Sequence, residues 1–150
     1  MKNETSTCGY TSLTSAIIVE NADEVIASYQ EALDAEVIAM FRCPKTDKVM
    51  HCCLHVGGAS LFVCDVSSEE GKEKTGRQEF YLYVEDVDDA CAKAENAGWR
   101  VLSDPEEMLW GDRVGDMRDL AGNTWRLAQD ICRLSVDEIE SEMQERANAV

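Results

Sequence analysis

Basic residues are scarce in this sequence: 14 Lys and Arg stand against 30 Asp and Glu, a formal net charge of −16. A duplex-binding protein must neutralise phosphates with a basic patch, so this balance argues against nucleic acid as a partner. Long apolar runs are missing as well. No window reaches the roughly 18 consecutive apolar residues that a membrane-crossing helix needs, and no apolar stretch of signal-peptide length follows the polar residues 1–7. The expectation is a soluble, cytoplasmic chain with no membrane partner. Cysteine is present seven times (Cys8, Cys43, Cys52, Cys53, Cys64, Cys91, Cys132), but C-x-x-C spacing is absent and most of these residues sit inside apolar runs. That predicts reduced thiols acting as small hydrophobes, and it argues against a zinc cluster. Histidine occurs only as His51 and His55, both in the strand-like run VMHCCLHV. At strand spacing they stand about 13 Å apart and cannot share one metal ion.

What the sequence does contain is a hydrophobic fraction of 45% over 150 residues, enough for one domain with a real core. Within it lies an internal repeat. One shift of the chain sets IIVENADEVIASYQEALDA over LYVEDVDDACAKAENAGWR, placing Val19 on Val84, Glu20 on Glu85, Asp23 on Asp88, Ala32 on Ala97 and Gly57 on Gly122. Each copy opens with an apolar strand (13–19 and 80–84) and turns into an amphipathic helix (22–33 and 87–97) at Asn21 or Asp86, both good N-cap residues. Three strand-like runs follow in each copy, over 36–42, 49–56 and 60–64, then over 100–103, 113–117 and 124–128. The order is βαβββ, twice. Module 1 spans about 12–66 and module 2 about 78–130, joined by the polar linker 67–76, which reads as mobile. A C-terminal amphipathic helix is predicted over about 135–147, with Ser135 and Glu138 as a capping box.

This arrangement, with the runs LYVEDVDDACAKAENAG and DPEEMLWGDRVGDMRDLAGNTWRLA, resembles the vicinal oxygen chelate superfamily of glyoxalase I, bleomycin and fosfomycin resistance proteins and extradiol dioxygenases. Within it the likeness is to the PhnB-like, glyoxalase-like branch, through WGDR and the R-D-x-x-G-x-x-W element. The resemblance implies an α+β fold in which tandem βαβββ modules form a curled mixed sheet around a cleft, with a C-terminal helix and a homodimer as the working form. In the enzymes of the family a divalent metal sits in that cleft. Carried over, the metal positions fall on Thr14 and Leu61 in the first module and on Glu79 and Arg126 in the second.

That set is a poor ligand set: leucine cannot ligate, and arginine brings a fixed positive charge to the cation's place. No cofactor is therefore expected, and Glu79 and Arg126 are expected to form an ion pair in the vacant position. Tyr81 and Tyr83 share the strand face of Glu79. Trp110 and Arg113, from the WGDR run, are candidate specificity elements for a carboxylate- or phosphonate-bearing ligand, with Gly111 and Asp112 shaping the turn between them. The ligand cleft is thus assigned to Thr14, Ala16, Leu61, Glu79, Tyr81, Trp110, Arg113 and Arg126, with His51 as an addition. The leading reading is a small-molecule binding protein. The alternatives are a metal-dependent lyase, isomerase or dioxygenase of the same superfamily, and a structural module that binds another protein. Whether the chain is an enzyme stays open at this stage.

Overall fold

A helix placed after the first strand carries the chain across the sheet, so that this strand meets the last strand of its repeat in parallel while the strands between run as hairpins. The computed structural model, which describes residues 12–149, has this form twice. Module 1 consists of β1 (Ser15–Val19), α1 (Ala22–Leu33), β2 (Glu36–Arg42), β3 (Val49–Val56) and β4 (Ala59–Asp65). The linker holds a single helical turn, α2 (Glu69–Lys72), in which the Ser68 hydroxyl accepts from the Gly71 amide. Module 2 consists of β5 (Glu79–Tyr83), α3 (Val87–Asn96), β6 (Arg100–Glu107), β7 (Asp112–Arg118) and β8 (Thr124–Asp130), and α4 (Val136–Asn148) ends the chain. The two sheets are separate, with strand orders β1-β4-β3-β2 and β5-β8-β7-β6. Among the described residues only β1–β4 and β5–β8 pair in parallel. Cys8 and residues 1–7 lie outside the described residues. The other six cysteines are free thiols.

The helix starts show how the repeat is built. Asp86 caps α3 through its side chain, which accepts from the Asp89 amide. Asn21 does not do this for α1, contrary to expectation. It adopts a left-handed backbone (φ 55°, ψ 58°) and makes no side-chain cap bond. The Ala22 amide donates to Asp65 Oδ1 at the end of β4, 2.8 Å away, while Asp65 Oδ2 accepts from the Val49 amide. In module 2 the Gln129 side chain of β8 accepts from the Val87 amide in the same way. Each module therefore ties the first turn of its helix to the far end of its last strand.

Between the helices and the sheets lies one core. Ile17, Val19, Leu61 and Val63 are buried on the helix side of the first sheet, and Met117, Trp125 and Leu127 on that of the second. Tyr29 of α1 joins the modules: its ring meets Trp99 and Trp125 edge-on, at centroid distances of 5.7 and 5.4 Å. Its hydroxyl donates to Asp119 Oδ2, which also accepts from Trp125 Nε1, while Asp119 Oδ1 accepts from the amides of Ala121 and Asn123. The R-D-x-x-G-x-x-W element is thus a structural junction. Its Asp119 ties the β7–β8 turn to the core of the other module. The C-terminal helix matches its predicted capping box, with both Ser135–Glu138 bonds formed.

Candidate functional site

Alternation along β5 places Tyr81 and Tyr83 on the sheet face that α3 does not cover. Register continues this open face onto Arg126 of β8, paired with Tyr81, and Asp116 of β7, paired with Arg126. At the start of β7 the carboxylate of Asp112 is buried, with 6% of the residue exposed. Three donors converge on its Oδ2: the hydroxyls of Tyr81 (2.6 Å) and Tyr83 (2.8 Å) and the indole Nε1 of Trp110 (3.1 Å). The cluster borders an open cavity of about 520 Å³ whose lining also includes Leu134 and Ile139 of the C-terminal segment.

Burial, then the bond to Asp112, pushes the Tyr81 phenol up to about 12, and the Asp112 bond raises Tyr83 as well. Because the folded value lies above the ordinary phenol value of about 10, the stability this bond adds is complete below about pH 10 and is lost as the pH rises through about 12. Absorbance titration at 295 nm is expected to show this late ionisation. Asp112→Asn is expected to move it part of the way back toward about 10, since burial remains when the carboxylate is gone. An unchanged titration would contradict the Tyr81–Asp112 bond.

The four residues of the WGDR run divide among three roles. Trp110 and Asp112 belong to the cluster. Gly111 has φ 99°, and its carbonyl accepts from the amides of both Ile131 and Cys132 at 3.0 Å, latching the C-terminal segment to the turn. Arg113 points to the opposite face of β7, where Nε and Nη2 fork onto the two carboxylate oxygens of Asp88 at 2.9 Å. The pair holds Asp88 below and Arg113 above their usual values. Arg113 therefore lies on the face opposite Asp112, to which Trp110 donates, since adjacent strand residues point apart. Being exposed, the pair contributes little and is screened by salt. Arg113→Ala is expected to leave the fluorescence of Trp110 and any ligand affinity unchanged, with a small, salt-sensitive fall in melting temperature. A loss of binding in this variant would return Arg113 to the cleft.

Arg126 does not pair with Glu79. Its Nε donates to Asp116 Oδ1 at 3.0 Å, and its guanidinium lies 5.7 Å from the centre of the Tyr81 ring. Glu79 is exposed and stands beside Thr124 in the register. Leu61 is also off its expected face. Ser15 pairs with Leu61 and Ala16 with Phe62, so Leu61 turns into the core and Phe62 takes the open face. At the seam of the modules Leu61 does meet Tyr81, with Ser15, Phe80 and Trp125, around a cavity of about 130 Å³. Ala16 is exposed on β1 and Thr14 half-buried just before it.

His51 stacks with Phe41 at 6.3 Å and meets Phe62 edge-on at 4.7 Å, an aromatic setting rather than a ligand set. Among the described residues no group of three or more His, Cys, Asp or Glu side chains is placed to hold a metal ion. The residues at the family's metal positions (a threonine, a core leucine, an exposed glutamate and a paired arginine) do not fit a divalent cation. Burial raises the Cys52 thiol to about 11 and that of Cys64 above its usual value, the opposite of an activated nucleophile.

Sequence reasoning missed Asp116, Asp130, Leu134 and Ile139 as members of this region. Asp116 had a signal in the hairpin register, which sets it opposite Arg126. The C-terminal residues had none, because they arrive through the Gly111 latch.

Paired βαβββ modules with an open, polar-aromatic sheet face define the class of protein. The chain belongs to the Glyoxalase/Bleomycin resistance protein/Dioxygenase superfamily, whose family model matches residues 11–127. An uncharacterised protein of Mycobacterium tuberculosis strain H37Rv is 31% identical over 141 residues, covering 88% of this chain and 82% of that one. A gene product of Arabidopsis thaliana superposes with a TM-score of 0.64 at 28% identity, over 79% of this chain and 98% of that one. The PhnB protein of Bacillus cereus superposes with a TM-score of 0.62 at 17% identity, over 79% and 99%, a likeness of fold alone. No helix among the described residues is long and apolar enough to cross a membrane.

Proposed function

We propose that this chain is a glyoxalase-like small-molecule binding protein that works without a catalytic metal, as a homodimer whose protomers complete each other's clefts. The observation that carries this reading is the Arg126–Asp116 pair. A position that the family resemblance gives to a metal ligand holds a fixed cation, already engaged by the carboxylate opposite it. Around the pair, Tyr81, Tyr83, Trp110 and Asp112 offer rings and polar groups that orient an organic molecule by stacking and hydrogen bonding. The superfamily generally binds small molecules and dimerises. Phe41, Tyr81 and Tyr83 stay 63, 41 and 58% exposed, apolar surface of the kind that a ligand or a second protomer covers.

The test is thermal melting of chelator-treated protein against a panel of small organic acids, amines and aromatic compounds, with and without added divalent metal. At least one compound is expected to raise the melting temperature equally in both conditions, and Tyr81→Phe and Arg126→Ala are expected to abolish that shift. A shift that appears only when metal is restored would overturn the reading in favour of a metal-dependent enzyme. Sedimentation at micromolar concentration is expected to give a dimer, and a monomer would contradict the shared cleft.

A further inference from the structure

We propose that the cavity between the Trp110 turn and the C-terminal segment takes an organic cation: an ammonium group carried on an apolar body of aromatic size. This names the ligand class for the binding reading above and rests on it. The cavity, of about 520 Å³, is lined by two rings (Tyr83, Trp110), two aliphatic side chains (Leu134, Ile139) and the carboxylates of Asp112 and Asp130. Asp112 is more than nine-tenths buried, and all three of its side-chain donors fall on Oδ2. The residue lines the cavity, so a buried negative charge stands at the wall that a ligand would meet. A phenol and an indole that donate to an anion gain electron density over their ring faces, the surfaces that attract an ammonium group.

The basic groups near the site point to the same sign of ligand. Arg113 is held by Asp88 on the far face of β7, and Arg126 is held by Asp116. Arg133, the cation in the lining, is 90% exposed along its side chain and reaches Asp130 only at 3.4 Å. An anion entering here would meet two carboxylates against the single guanidinium of Arg133, within the long-range field of a chain with net charge −16. A cation meets the reverse on every count.

Trp110 makes the test direct. Trp99 and Trp125 are each 3% exposed in the core, so quenching by a small solute in the cavity reports on Trp110. Titration of the full chain with benzyltrimethylammonium is expected to quench tryptophan fluorescence saturably. Trp110→Phe is expected to abolish the signal and Asp112→Asn to weaken binding by about tenfold or more, with affinity falling as salt rises. Competition in the wild-type protein covers the case in which Asp112→Asn fails to fold: benzyl alcohol and phenylacetate are expected to displace the cation at least about tenfold less well than unlabelled benzyltrimethylammonium displaces a fluorescent analogue. Saturable binding of phenylacetate or benzyl alcohol in preference to the cation would overturn the ligand class while leaving the small-molecule reading intact. If none of the three probes saturates, the assignment of this cavity fails. The thermal-shift panel decides the broader reading separately.

Discussion

Asp119→Ala is expected to cost the protein about 3–5 kcal/mol of stability, lowering the melting temperature by roughly 10 °C. The carboxylate is buried and accepts four hydrogen bonds, from Tyr29, Trp125 and the amides of Ala121 and Asn123. Removing it strands a buried phenol and a buried indole with no replacement acceptor, and each such orphan costs about 1–3 kcal/mol. The two amides lie in the β7–β8 turn, which must then re-form without its organising acceptor. Tyr29→Phe is the calibrating variant, since it deletes one donor and leaves the carboxylate with three. Its expected cost is about 1 kcal/mol. Because Tyr29 belongs to the first module and Asp119 to the second, the two substitutions also report how strongly the modules depend on each other. Thermal or urea melts that place Asp119→Ala within roughly 2 °C of the wild type would contradict the network.

The second large effect is expected at Gly111. A Cβ built there would lie 1.8 Å from the carbonyl oxygen of Cys132, and the backbone φ of 99° is one that side chains rarely adopt. Alanine therefore brings roughly 1–3 kcal/mol of backbone strain together with a clash against main chain, which cannot rotate away as a side chain can. The economical relief is release of the segment after β8. Gly111→Ala is expected to raise the hydrogen-exchange rates of the Ile131 and Cys132 amides by about tenfold or more, since both donate to the Gly111 carbonyl. It is also expected to remove Leu134 and Ile139 from the cavity wall, so that the affinity for benzyltrimethylammonium falls with it. Unchanged exchange at these two amides would mean that the latch does not hold the tail.

The architecture was legible because it rests on periodicity. The bounds of α1, β2 and β3 follow from helical spacing and strand alternation, and the repeat supplied their counterparts in module 2. The site was harder to read, for reasons that particular residues make plain. Trp110 and Arg113 are neighbours in sequence and were grouped as one cluster. Asp112 and Arg113 are adjacent strand residues, however, so one carries the open face and the other the helix face. Leu61 was displaced by a single register position, which reverses a side chain because the strand period is two. Arg126 was given the wrong carboxylate, because its partner is set by the register of the β7–β8 hairpin, which places it opposite Asp116, and not by the face that Glu79 shares along β5. Asn21 has the chemistry of an N-cap, but it takes a left-handed backbone and makes no side-chain cap bond, while Asp65 from β4 accepts from the first helical amide. Local propensity yielded to a partner from elsewhere in the fold.

The proposed function requires a paired guanidinium, Arg126 with Asp116, in place of a metal ion on the open face. Elemental analysis of protein purified without chelator tests it most directly, together with titration of nickel, zinc, manganese and iron(II) against thermal stability. Far less than one metal per chain is expected, with no stabilisation by any of the four. About one equivalent of a divalent metal, bound tightly enough to raise the melting temperature and lost on mutation of Glu79 or His51, would contradict it.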